Sequence, residues 1–408
     1  MSLLSIKNKI GIPSDWKMVP IGKVLVSSQY GTSNGSSEIG VPVVGMKNLQ
    51  EGKVNFNDLP FVSVDEAEKE SLLLHDGDIL LNRTNSYDLV GKVGFVDKAI
   101  EAVFASYLVR LQVDRTKSDP KFVALWLTSF WANQMIKKIA TRAVSQANVN
   151  PTEFKKFCLI PVLPQPEQKA ITDFFSTWDE AIEKTEQLIA KKQKFYEAQL
   201  SKRLSLDIPE RIKLKKFLKE VSKRNRDLLI TQVLSVTNSK GFVRPEDQFD
   251  RVVASDNLSN YKIVSKGEYA YNPSRINVGS ITRLDGWDFG VLSPMYTVFE
   301  IKKPSELHTD LFLHWLNSHE AKQRIRLSAQ GSVRETVSFD DFCAIGFPKI
   351  DFKEQKALAE YFSLISTEID HLKALSEKYK TQKRGLMQKM LTGEWRVKPE
   401  IVNQYIEA

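Results

Sequence analysis

Among its 408 residues this chain has only two cysteines, Cys158 and Cys343. That excludes a disulfide framework and a cysteine-based zinc site, and it suits a reducing compartment. Long apolar runs are missing too. No stretch approaches the roughly 20 apolar residues of a membrane helix, and the N-terminal MSLLSIKNKIGIPSDWK holds no apolar run long enough for a secretory leader. A cytoplasmic protein with no membrane contact is expected. Strong charge of one sign is also lacking: 58 Lys+Arg stand against 50 Asp+Glu, a formal +8. Such a balance favours an anionic partner such as nucleic acid, but it is spread along the chain with no polybasic tail. There is no glycine-rich strand–turn–helix for S-adenosylmethionine, no GxxxxGKS/T loop for ATP and no HExxH pair. His308, His314 and His319 make no metal site, because 314 and 319 fall on different faces of what reads as one solvated helix. No catalytic residue and no metal ligand is assigned.

What the chain does have is a repeat. PEQKAITDFFSTWDEAIEK (Pro166 to Lys184) returns as KEQKALAEYFSLISTEIDH (Lys353 to His371), with Glu167, Gln168, Lys169 and Ala170 matched by Glu354, Gln355, Lys356 and Ala357. FKKFCLIPVLP at Phe154 matches FDDFCAIGFPK at Phe339, Trp126-Leu127 matches Trp315-Leu316, and GDILLNR at Gly77 matches GEYAYNP at Gly267. The chain is therefore a duplication of a unit of about 190 residues. Each unit opens with short β-branched and aromatic runs punctuated by Gly, Asn and Ser, followed by apolar residues at helical spacing in KFVALWLTSFWANQMIKKI and LFLHWLNSHEAKQRI. The fold class is α+β. The expected divisions are 1–165 and 208–352 as two globular domains, 166–207 and 353–392 as two long helices, and 393–408 as a tail. Cys158 and Cys343 sit at equivalent points of what reads as a strand, as buried core thiols.

The helices carry a seam. In the second, Leu358, Phe362, Ile365, Ile369, Leu372, Tyr379, Leu386 and Met390 follow 4 and 3 spacings, with Ser376 and Lys383 breaking the series; in the first, Ile171, Phe175, Trp178, Ile182 and Ile189 do the same. At 1.5 Å per residue each helix is about 57 Å long. Neither buries its seam alone, so the simplest arrangement pairs them as an antiparallel coiled coil, a spacer between two similar heads.

These features together resemble the specificity subunits of type I restriction-modification systems. The resemblance rests on the strand, Pro, Glu-Gln and long helix of each repeat, and most specifically on KRGLMQKMLTGEWRV from Lys383 to Val397. It spans the chain, although the first helix ends YEAQLSKRLSLDIPE instead. It implies a non-catalytic subunit with two target-recognition domains, each reading half of a bipartite site in double-stranded DNA. It also implies helices that dock two modification subunits and, through them, two restriction subunits. S-adenosylmethionine, ATP and Mg would then lie on those partners, with no cofactor on this chain. A coiled-coil adaptor that reads no DNA is the alternative.

Base edges are distinguished by paired donors and acceptors, which Arg, Lys, Asn and Gln match from loops. In the first domain such groups cluster in GTSNGSS (Asn34), MKNLQ (Lys47, Asn48), NRTNSY (Asn82, Arg83, Asn85) and RAVSQANVN (Arg142, Gln146). In the second they lie in TNSKG (Asn238, Lys240), NPSRIN (Asn272, Arg275, Asn277) and QGSVRETVS (Ser332, Arg334). NRTN and NPSR follow matching strands, which suggests a shared working edge, although Asn, Ser and Gly also make turns for their own sake. YNPSR at Tyr271 is similar to the Asn-Pro-Pro-aromatic loop of DNA adenine methyltransferases but lacks the second proline and the aromatic. The basic KLKKFLKEVSKRNR (Lys213 to Arg226) reads as a solvated helix face with phosphate contact as the rival. DFK at Asp351 falls in a linker.

Overall fold

A computed structural model describes residues 10–144, 146–206, 208–238, 240–247, 257–329 and 336–406. Contacts divide the chain into two compact units, Met1–Lys184 with Ser376–Ala408, and Thr185–Leu375. The two long helices, Gln165–Ser201 and Phe352–Leu391, each run from one unit into the other. Among the described residues no helix is long and apolar enough to cross a membrane.

In the first unit Ile79–Asn82 is the middle of a six-stranded sheet, flanked antiparallel by Leu108–Val113 and Val93–Phe95. All four residues of that strand are buried, because Ile-Leu-Leu presents apolar groups to both faces. A four-stranded sheet packs beside it, with Val103–Phe104 next to Val41–Val44. Lys17–Pro20 pairs antiparallel with Leu159–Val162, so this strand is tied to the residues that lead into the first long helix. The expected helix at 121–139 is two helices, Pro120–Leu127 and Phe130–Ile139; Ser129 caps the second by accepting the Ala132 N–H.

The second unit repeats this plan. Tyr269–Tyr271 lies between Thr297–Ile301 and Ile281–Arg283 in a four-stranded sheet. Its core is aromatic: Tyr269 stacks on Phe299 at 5.3 Å, and Phe312, Trp315 and Phe347 interlock beyond. The histidine segment is again two helices, Thr309–Leu316 and His319–Ala329. His314 is buried, not solvated as expected: its Nδ1 shares a 2.7 Å hydrogen bond with the Tyr196 hydroxyl and its Nε2 a 3.1 Å bond with Ser363. Burial lowers its pKa to about 4. Three further expectations are corrected. Residues 213–226 are not a helix but strand, one 3₁₀ turn and strand, Arg211–Lys213, Leu214–Lys216 and Leu218–Val221. Cys343 lies in the short helix Phe339–Ala344, capped by Ser338, while Cys158 just precedes a strand. The second long helix starts at Phe352, and Asp351 just before it accepts the Lys353 N–H, so DFK is a helix start and not a linker. Both thiols are inert, with burial pushing Cys158 up to about 12 and Cys343 up to about 11.

Within each unit the long helices pair antiparallel, as an unburied seam requires. In the first, Ile171, Phe175 and Ile182 are buried, Trp178 meets Tyr379 edge-on at 5.9 Å, and Leu386 packs on the same core. In the second, Leu358, Phe362 and Ile369 are buried, and Ile189 and Ile365 pack against them, while Leu372 is half-buried. The two breaks in the seam are accommodated. Ser376 is small enough to be buried, and half-buried Lys383 forms a 2.5 Å ion pair with Asp179.

Candidate nucleic-acid interface

Several of the candidate residues lie at the end of each unit's central strand. In the first unit the chain leaves Asn82, turns at Arg83 and forms the short strand Thr84–Asn85. That strand is the edge of a three-stranded sheet with Ala147–Asn148 and Thr141–Arg142. Two loops 60 residues apart in sequence, NRTNSY and RAVSQANVN, thus become one surface. The Arg83 carbonyl accepts the Val149 N–H at 2.8 Å. Its Nε donates to the Ser106 carbonyl at 3.3 Å and its Nη1 to Asn148 Oδ1 at 3.2 Å. Thr32, at the root of GTSNGSS, joins the same edge, since its carbonyl accepts the Ser106 N–H.

Arg142 and Gln146 are exposed here, and Asn85 is half-exposed with its Oδ1 accepting the Ser86 N–H. Asn34 is exposed and donates to the Ser63 carbonyl at 2.9 Å. Lys47 is exposed on the turn after Val44, whose carbonyl accepts the Ala105 N–H beside Ser106. Two candidates differ from expectation. Asn48 is buried, with Oδ1 accepting the Gly45 N–H and Nδ2 donating to the Asn55 carbonyl, so its amide holds a turn. Asn82 has no exposed surface, and its side-chain amide makes no hydrogen bond among the described residues. As placed, neither reaches a base.

The second unit repeats one backbone bond of this edge. The Pro273 carbonyl accepts the Val337 N–H at 3.1 Å, the counterpart of the Arg83–Val149 bond. Asn272 is buried, and its Oδ1 accepts the Ser274 N–H, which is turn chemistry. Arg275 is exposed and Asn277 half-exposed on the 3₁₀ turn Ile276–Val278. Gly279 closes that turn at φ 93°, where a residue with a Cβ is strained, and a methyl there would lie 3.8 Å from the Asn238 Cβ. Gly279 therefore lies near the loop of Asn238 and Lys240; both are exposed, and the Lys240 N–H bonds the Thr237 hydroxyl. Ser332 and Arg334 lie outside the described residues.

The sequence reading missed Tyr30, Tyr87, Ser106 and Asn148. Tyr87 and Asn148 sit inside the two loops already singled out, and Tyr30 immediately precedes GTSNGSS. The signal available was an aromatic residue beside an arginine-bearing loop, where an aromatic more often means core. Among the described residues no group of three His, Cys, Asp or Glu is placed to hold a metal ion.

Known proteins are similar to this chain in sequence and in fold. Residues 13–191 match the family described as the type I restriction modification DNA specificity domain. Over 423 aligned positions the chain is 25% identical to the protein provisionally named the type I restriction enzyme MjaX specificity subunit of Methanocaldococcus jannaschii, covering 96% of each. It is 24% identical over 182 residues to the EcoKI specificity subunit of Escherichia coli, covering 43% of this chain and 37% of that one. The solved S subunit of a type I restriction-modification system from M. genitalium has the same fold, with a TM-score of 0.58 at 17% identity over 93% of this chain and 96% of that one. With two α+β units and long antiparallel helices, this protein is similar along nearly its whole length to the specificity subunits of type I restriction-modification systems.

Proposed function

We propose that the chain reads a bipartite, gapped site in double-stranded DNA. The Arg83 edge of the first unit takes one half-site and the Arg275 edge of the second takes the other. The observation that carries this reading is the matched pair of edges. In each unit a loop of Asn and Arg leaves the central strand and is pinned by a valine N–H from a distant segment, Val149 or Val337. Rigidly placed polar forks on loops are what reading a base edge needs. The specificity subunit does no chemistry of its own. Methyl transfer and cleavage belong to partners, two modification and two restriction subunits, which in this reading hold the S-adenosylmethionine, ATP and Mg. In the second unit the long helices leave Leu188, Phe195, Leu364 and Leu375 exposed, an apolar face that suits a modification subunit. The complex works on DNA in the cytoplasm.

The experiment is selection from random duplexes by the chain assembled with its modification subunits. The reading predicts enrichment of two short specified blocks separated by a fixed unspecified gap. Assembly without any enriched sequence is the outcome for an adaptor that reads no DNA, and it would refute the proposal.

A further inference from the structure

Two arginines lie over tyrosine rings in the loop cluster of the first unit. The Arg83 guanidinium carbon is 4.9 Å from the centre of the Tyr30 ring, and that of Arg142 is 3.4 Å from the centre of the Tyr87 ring. Tyr87 is half-buried and packs against the main core of the unit, so its ring is a fixed plane. Tyr30 is 50% exposed at the end of the strand Leu25–Tyr30, with its backbone paired to Val109. Arg83 is also held by its bonds to Ser106 and Asn148. A guanidinium carries five N–H donors; those two bonds leave three, both on Nη2 and one on Nη1. Arg142 makes no side-chain hydrogen bond or ion pair among the described residues, so its whole fork is open.

We propose that Tyr30 and Tyr87 are positioning residues for specificity, each holding an arginine fork in one plane before DNA arrives so that Arg83 and Arg142 read guanine edges in the half-site of the first unit. The inference rests on the reading that this cluster contacts DNA. Guanine O6 and N7 accept a bidentate arginine only when fork and base are coplanar, whereas a phosphate accepts from many directions and gains little from a fixed fork. An arginine already ordered on a ring loses less freedom on binding, and the contact adds attraction of its own. In the second unit Arg275 is exposed and lies over no ring among the described residues, so the effect is confined to one half-site.

The test uses the chain assembled with its modification subunits and reads base preference at each half-site position, with affinity for random duplex alongside. Tyr30→Leu and Tyr87→Leu remove the ring and keep apolar bulk; Tyr30→Phe and Tyr87→Phe keep the ring. The leucine variants are expected to lower guanine preference in one half-site about 3- to 10-fold, as loss of a cation–π contact and its ordering implies. Random-duplex affinity and the other half-site stay unchanged, and the phenylalanine variants restore the preference. If a leucine variant fails to fold, Arg142→Lys on the intact ring keeps the charge and loses the plane, and it is expected to show the same loss. Full discrimination in the leucine or lysine variants, beside its loss in Arg83→Ala and Arg142→Ala, would overturn the positioning role. If the alanine variants also leave that half-site intact, the cluster does not read DNA at all.

Discussion

Gln168 and Gln355 occupy the same position in the two repeats and form the same staple. Gln168 accepts from the Ser118 hydroxyl and the Asp119 N–H while donating to the Leu163 carbonyl. Gln355 accepts from the His308 N–H and donates to the carbonyls of Glu306 and Ile350. Each is buried and ties the long helix to the start of a domain helix and to the strand before it. Gln355→Ala leaves three backbone groups without this partner and is expected to destabilise the second unit by about 2 to 4 kcal/mol, measured by denaturant unfolding. The repeated Glu does not share this symmetry. Glu167 is buried against Arg396, which also reaches Asp15, whereas Glu354 is exposed. Identical letters in the repeat told of a shared role for Gln and hid a difference for Glu, because the partner, Arg396, lies 229 residues away. His314 was misread for a similar reason: spacing along its helix says nothing of the Tyr196 hydroxyl that covers it. Its pKa falls from 6.5 to about 4 through burial. The unfolded chain therefore binds the proton more tightly, and stability present above pH 6.5 is lost as pH drops toward 4. The loss approaches about 3 kcal/mol, and His314→Phe, which carries no titrating group, is expected to flatten this acid limb.

At the scale of elements the long helices were the most legible part, since 3 and 4 spacing over 38 residues admits little else. Even the seam breaks have physical content. Lys383 replaces an apolar residue where Asp179 stands opposite, with side-chain exposures of 14% and 28%. Lys383→Ala is expected to lower stability by about 1 to 2 kcal/mol, between the worth of an exposed and a buried pair. The exchanged pair Asp179→Lys with Lys383→Asp should recover much of the loss in thermal melting, and no recovery would mean that the pair is not what holds this register. Short elements were less legible. KLKKFLKEV has helical composition, yet Arg211–Lys213 pairs with Gly346–Pro348 and Leu218–Val221 with Thr297–Ile301, so tertiary pairing overrides local propensity. The arginine-bearing loops could be named from their polar composition, but not the tyrosines beneath Arg83 and Arg142, because an aromatic beside a loop carries no mark of which side it faces.

For the molecule as a whole, the duplication and the α+β class follow from the sequence, since the same strand, Pro and Glu-Gln occur twice. What was not legible is which polar residues reach the surface: Asn48, Asn82 and Asn272 are turned inward by turns and burial that composition does not encode. In the proposed function the Arg83 edge and the Arg275 edge read different halves of one site. The most direct test is target selection by the complete complex carrying Arg83→Ala or Arg275→Ala. The prediction is that each variant relaxes base preference in a different block by about 1 to 3 kcal/mol at the affected position, with the other block and the gap unchanged. Relaxation of the same block by both variants, or a uniform loss on specific and random DNA alike, would contradict it.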